Sequence, residues 1–91
     1  MRRITNLDIK ASLDRLNRTL GRSLEPYSKL EDGTYQANIG NFHGYCAYGM
    51  FGLHEMFNLG GGVKSYGSLG TKRELYDRIH AMLDGIETTN G

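Results

Sequence analysis

Apolar residues recur at Ile9, Leu13, Leu16 and Leu20, steps of four, three and four that draw one stripe along a helix over residues 6–20. Thr5 or Asn6 is placed to cap its first turn, Asp8 to complement the positive end, and Gly21 to stop it. Arg15, Arg18 and Arg22 fall on the side away from the stripe. From Leu24 the period changes. Leu24–Leu30 reads as an edge strand, where Pro26 withholds a donor without harm, and Glu31-Asp32-Gly33 as a tight hairpin turn. Thr34–Ile39 alternates, with Tyr35, Ala37 and Ile39 against Thr34, Gln36 and Asn38, as a half-buried strand does.

Gly40-Asn41 turns, and Phe42–Tyr48 forms the next strand, with Phe42, Gly44, Cys46 and Tyr48 opposite His43, Tyr45 and Ala47. Gly49–Gly52 reads as the following turn and Leu53–Leu59 as a further strand, although Leu53-His54-Glu55-Met56-Phe57 also suits one helical turn. Gly60-Gly61-Gly62 breaks the pattern, and Val63–Leu69 reads as a loop or short extended segment. Thr71 with Glu74 three residues on is a capping box, followed by a helical stripe of Leu75, Ile79, Met82, Leu83 and Ile86. Gly85 is the expected stop, with Ile86 folding back and Glu87–Gly91 a frayed tail.

The order is helix, three or four antiparallel strands, helix. The expectation is a two-layer α+β fold in which an antiparallel three- to four-stranded meander packs one face against an N-terminal and a C-terminal helix. The other face would carry tyrosines and histidines from alternating positions, a composition of interfaces. The open edge at Pro26 and the small core favour a homo-oligomer.

Composition narrows the setting. The 91 residues are 38% hydrophobic and 23% charged with a single proline, which suits one ordered domain over 1–91. No run approaches the roughly 18 to 20 apolar residues that span a bilayer, and the start has no signal-like apolar stretch. The reading is a cytoplasmic chain with no membrane partner. Cys46 is the sole cysteine, so it has no partner for an internal disulfide or a thiolate pair for structural zinc. The net charge of +1 hides a dipole. Residues 1–22 carry six basic side chains against two acidic ones, so that segment is +4 and the remainder −3. Duplex binders usually carry a strong basic excess, which disfavours nucleic acid as the partner.

Catalytic patterns are thin. His43 and Cys46 are three apart, but alternation sends them to opposite faces of a strand, and His54 and Glu55 diverge for the same reason. No enzyme activity, metal site or cofactor is expected. Gly60, Gly61, Gly62, Lys64 and Ser65 invite comparison with a phosphate loop, but Val63 separates glycine from lysine and the helix starts late. Free amides in such a loop would still suit a nucleotide or other small anion, helped by the positive end of the second helix. The helix–strand–strand–strand–helix order, with Lys72-Arg73 opening the last helix, looks like the double-stranded RNA-binding domain in topology, and an RNA-binding domain is a third reading.

Leu24-Glu25-Pro26-Tyr27, Ala37-Asn38-Ile39-Gly40-Asn41-Phe42-His43, Ala47-Tyr48-Gly49, Gly60-Gly61-Gly62-Val63 and Lys72-Arg73-Glu74-Leu75-Tyr76 together resemble a family of small uncharacterised proteins of tailed phages and prophages. The resemblance spans nearly the whole chain; Met50-Phe51-Gly52-Leu53-His54-Glu55 departs from it. It implies a phage accessory protein acting stoichiometrically on a host factor, with a component of antiviral defence as the expected target. The leading expectation is therefore a non-catalytic inhibitor that covers a host protein's surface with Tyr45, Tyr48, Phe51 and Tyr66, with Arg15 and Arg18 meeting an acidic partner. The alternative is a module that sequesters a small ligand in the Gly60–Lys64 loop.

Overall fold

The computed structural model describes residues 3–90. Thr5 caps α1 (Asn6–Thr19) through a reciprocal pair: the Asp8 amide donates to Thr5 Oγ1 at 3.2 Å, and the Thr5 amide donates to Asp8 Oδ2 at 2.8 Å. Five strands follow: β1 (Tyr27–Lys29), β2 (Tyr35–Ala37), β3 (Phe42–Ala47), β4 (Met50–Met56) and β5 (Val63–Gly70). The chain ends in α2 (Lys72–Asn90), which Thr71 and Glu74 open with a second capping box. The fold is α+β. Its strands divide into an antiparallel β1–β2 pair and an antiparallel meander in the order β3-β4-β5. The division falls at Asn41, which is buried and donates to the Ser23 carbonyl at 2.8 Å, tying the chain to the segment that follows α1.

One face of the meander meets both helices. Ile9, Leu13 and Leu16 of α1 and Leu75, Ile79 and Leu83 of α2 close on Phe42 and Leu53, with Leu20, Phe51, Tyr66, Met82 and Ile86 packed around them. Both stripes read from the spacing of apolar residues thus face the core. Burying this cluster supplies most of the driving force, at roughly 1.5–3 kcal/mol for each large aliphatic side chain fully removed from water. Ser12 joins the helices, donating to the Asp8 carbonyl at 2.9 Å with His80 Nε2 at 3.0 Å.

Three local expectations need correction, and one open alternative is decided. The turn between β3 and β4 is Tyr48-Gly49, not Gly49–Gly52; both residues have positive φ, 54° and 72°, as a type I′ hairpin requires. Register decides this. Pairing Gly44 with Leu53 buries Leu53, and a slip of one residue would turn Leu53 out to solvent. Of the two readings of Val63–Leu69, loop or short extended segment, the extended one holds: it forms most of the eight-residue β5, whose Tyr66 packs on the core. Between Phe51↔Gly70 and Leu53↔Tyr66 this strand bulges, and Arg78 of α2 clamps the bulge by donating to the Tyr66 and Ser68 carbonyls at 3.0 and 3.2 Å. Thr34–Ile39 buries only Ala37, with Tyr35 and Ile39 exposed, because the short hairpin stands outside the main core.

The third correction concerns the C-terminus. α2 runs through Gly85 to Asn90, since Ile86 packs on the core and Glu87 pairs with Arg15 of α1, and these contacts outweigh the weak helix propensity of one glycine. Gly91, the last residue of the expected frayed tail, lies outside the described residues. No helix among the described residues is long and apolar enough to cross a membrane.

Candidate functional site

Strand alternation sorts the meander into two unlike faces. Phe42, Gly44 and Cys46 of β3 pair with Glu55, Leu53 and Phe51 of β4 on the helix side. His43, Tyr45 and Ala47 pair with His54, Gly52 and Met50 on the other, which the helices leave open. There the Tyr45 ring stacks on His54, centroids 4.5 Å apart and 20° from parallel, and His43 meets His54 edge-on at 5.7 Å. Tyr45 is 44% exposed. Beside the stack runs a groove of about 480 Å³ between Tyr45, Gly52, His54, Ser65 and Leu69. Its floor exists because Gly52 has no side chain; a Cβ there would lie 2.8 Å from Leu69 Cδ2.

The electrostatics of this face centre on His43. Its Nδ1 lies 3.2 Å from Asn41 Oδ1, and the Asn41 amide is oriented by its bond to Ser23, so Nδ1 carries the proton and Nε2 is left as an acceptor. Partial burial, followed by the facing His54 imidazole, holds His43 below the usual histidine range. At neutral pH this is a flat, amphipathic aromatic surface. Tyr48 stands at its end, 98% exposed on the turn.

The six expected contact residues do not form one surface. Tyr45 lies on the open face and Tyr48 at the tip. Phe51 and Tyr66 lie on the helix side: Phe51 packs on the core with Lys72 Nζ 5.3 Å from its ring centre, and Tyr66 packs on Phe42 with Lys64 Nζ at 5.0 Å. Tyr66 donates its phenol proton to Glu55 Oε1 at 2.6 Å, and that bond pushes its pKa up. Arg15 and Arg18 are exposed on α1, beyond the other side of the sheet, and Arg15 is engaged with Glu87. Arg22, placed by the helical period on the side away from the apolar stripe, instead bonds Glu55 at 2.5 Å and lies 5.0 Å from the Phe42 ring centre.

Nor do Gly60, Gly61, Gly62, Lys64 and Ser65 converge. The Gly62 amide donates to Asn58 Oδ1 at 2.8 Å and the Gly61 amide to the Asn58 carbonyl at 3.3 Å, so this tight turn consumes donors an anion would need. Lys64 lies on the helix side of β5 and Ser65 on the open side. The length of β5 separates the turn from the N-terminus of α2 by roughly 20 Å. Cys46 is exposed and turned to the opposite face from His43. Among the described residues no three His, Cys, Asp or Glu side chains are grouped to hold a metal ion.

Reading β3 alone placed Tyr45 beside His43, but the His54 partner depended on the turn position that the glycines disguised. Neither a family model, nor a curated protein, nor a solved structure matches this chain.

Proposed function

We propose that this chain is a non-catalytic binding module that covers a surface of a partner protein with the open face of its meander and the Tyr48-Gly49 tip. The resemblance to phage proteins supports a protein of the bacterial host as that partner, and inhibition by occlusion as the effect. One observation carries the reading: Tyr48, an aromatic side chain 98% exposed, is held in a left-handed conformation that a glycine or asparagine would adopt more readily. Strain retained in an exposed ring is a feature of contact surfaces. The adjoining Tyr45–His54 stack offers a rigid, amphipathic anchor of low conformational entropy.

The test is site-specific photocrosslinking of the whole chain in bacterial cells, with a photoreactive phenylalanine replacing Tyr45, Tyr48 or, as a control, the exposed Asp77 of α2. The expected result is one protein adduct common to the first two positions and absent from the third. Identical adducts from all three, or none from Tyr45 and Tyr48, would overturn the proposal.

A further inference from the structure

The outer edge of β3 has the form of a strand pair with one member missing. The Met56 amide donates to the Asn41 carbonyl at 2.9 Å, and the bonding phase alternates from there along β3. Phe42, Gly44 and Cys46 therefore turn both backbone groups away from β4. At Phe42 the Asn17 side chain takes both. At Gly44 and Cys46 no described residue does, and both residues are exposed. Four backbone groups along this edge are without a strand partner among the described residues.

A cavity stands beside this edge. On the helix side of Gly44, between Ile9 and Leu13 of α1, Phe51 and Leu75, there is a space of about 220 Å³ that reaches Cys46. Gly44 keeps it open, since a Cβ there would point at Leu13 and Leu75, 3.8 Å from each. A strand added along β3 would set every second side chain on this face, one of them beside Gly44.

We infer that the β3 edge receives an extended segment of a partner protein as a fourth strand, carrying valine, leucine or isoleucine at the position beside Gly44 and seating it in the cavity. The backbone groups of Gly44 and Cys46 bind the segment's main chain and the cavity selects its side chain. The same strand of a second copy fits less well. Because Asn17 already caps Phe42, an antiparallel β3–β3 pairing would bring Gly44, Cys46 or the turn residue Tyr48 of the other copy beside Gly44, and none of these is the aliphatic side chain the cavity suits. This site is distinct from the open face and does not depend on it.

The probe is a displayed library of random peptides selected against the immobilised full chain, with the recovered peptides titrated into isotope-labelled protein. The recovered peptides are expected to share one fixed aliphatic position, and their binding to slow hydrogen exchange at the Gly44 and Cys46 amides. Cys46→Pro removes an outward N–H without touching the β4 ladder, and Gly44→Leu fills the cavity from within. Each should weaken binding by about tenfold or more, the worth of one or two hydrogen bonds or a buried side chain. Tyr48→Asn should leave peptide binding unchanged while lowering the crosslinking described above, which separates the two proposals. An empty selection, peptides that bind while both amides keep exchanging, or a self-associated chain with those amides protected without peptide would each overturn the inference. The exchange measurement uses the unaltered protein, so a variant that fails to fold does not shield it.

Discussion

The side-chain amide of Asn17 stands in for a neighbouring strand at Phe42: its Nδ2 donates to the Phe42 carbonyl at 2.9 Å and its Oδ1 accepts the Phe42 amide at 2.7 Å. Asn17 is 1% exposed, so water does not replace it. Asn17→Ala should lower stability by about 3 kcal/mol, because two buried backbone groups lose their partners. Urea unfolding with an unchanged m value would register this as a shift of midpoint; a loss within about 0.5 kcal/mol would contradict it.

Tyr48→Asn should do the opposite. Asparagine accepts positive φ more readily, so the hairpin should gain about 0.5–1 kcal/mol and the thermal midpoint should rise by a few degrees. A stability gain coupled to loss of the crosslinked adduct would mark Tyr48 as retained for contact.

Arg22, Glu55 and Tyr66 should act as a unit. Arg22 Nη1 donates to Glu55 and to the Gly40 carbonyl at 3.1 Å, while Tyr66 donates to the other Glu55 oxygen. Arg22→Ala should destabilise by about 2 kcal/mol, and less in a Glu55→Gln background, since the half-buried carboxylate no longer lacks its cation. A double-mutant cycle measures that difference, and strict additivity would dissolve the unit.

Gly85 lies inside α2 with nothing within 4 Å of a built Cβ. Gly85→Ala should raise stability by about 0.5–1 kcal/mol through the unfolded chain's lost freedom. Thermal melting tests this, and a lower midpoint would argue against a continuous helix there.

His43 contributes to the pH response in the histidine range. Its pKa is lowered in the fold, first by burial and then by His54, so the unfolded chain binds a proton more readily. Stability should therefore be full above the ordinary histidine value of 6.5 and fall as pH drops through it. Denaturation midpoints measured across that range should show the slope, and His43→Gln should flatten it.

Much of this architecture was legible. Thr5 with Asp8, Thr71 with Glu74 and the two apolar stripes are relations between residues three or four apart, which a helix brings together whatever surrounds it. The opposite orientation of His43 and Cys46 followed from period-two alternation. β5 reads in sequence only as a loop or short extended segment because Lys64, Ser65, Gly67 and Ser68 dilute its pattern, and its full strand character rests on Tyr66 in the core and on Arg78 from another element. Gly85 suggested an end for α2 that contacts at Ile86 and Glu87 override.

The residues alone determined the helices, their caps, the buried stripes and the alternating faces of β3, because those follow from local geometry. Tertiary structure alone decided which aromatics are exposed and which are core. Phe51 and Tyr66 read like Tyr45 and Tyr48 in one dimension, yet the register of β4 and β5 turns the first pair toward the helices. It also decided that the Gly61 and Gly62 amides are consumed by Asn58, and that Asn17 closes one end of an edge left open at Gly44. Asn17 and Phe42 are 25 positions apart, and only packing both helices on one face of the sheet brings a polar side chain to that strand edge.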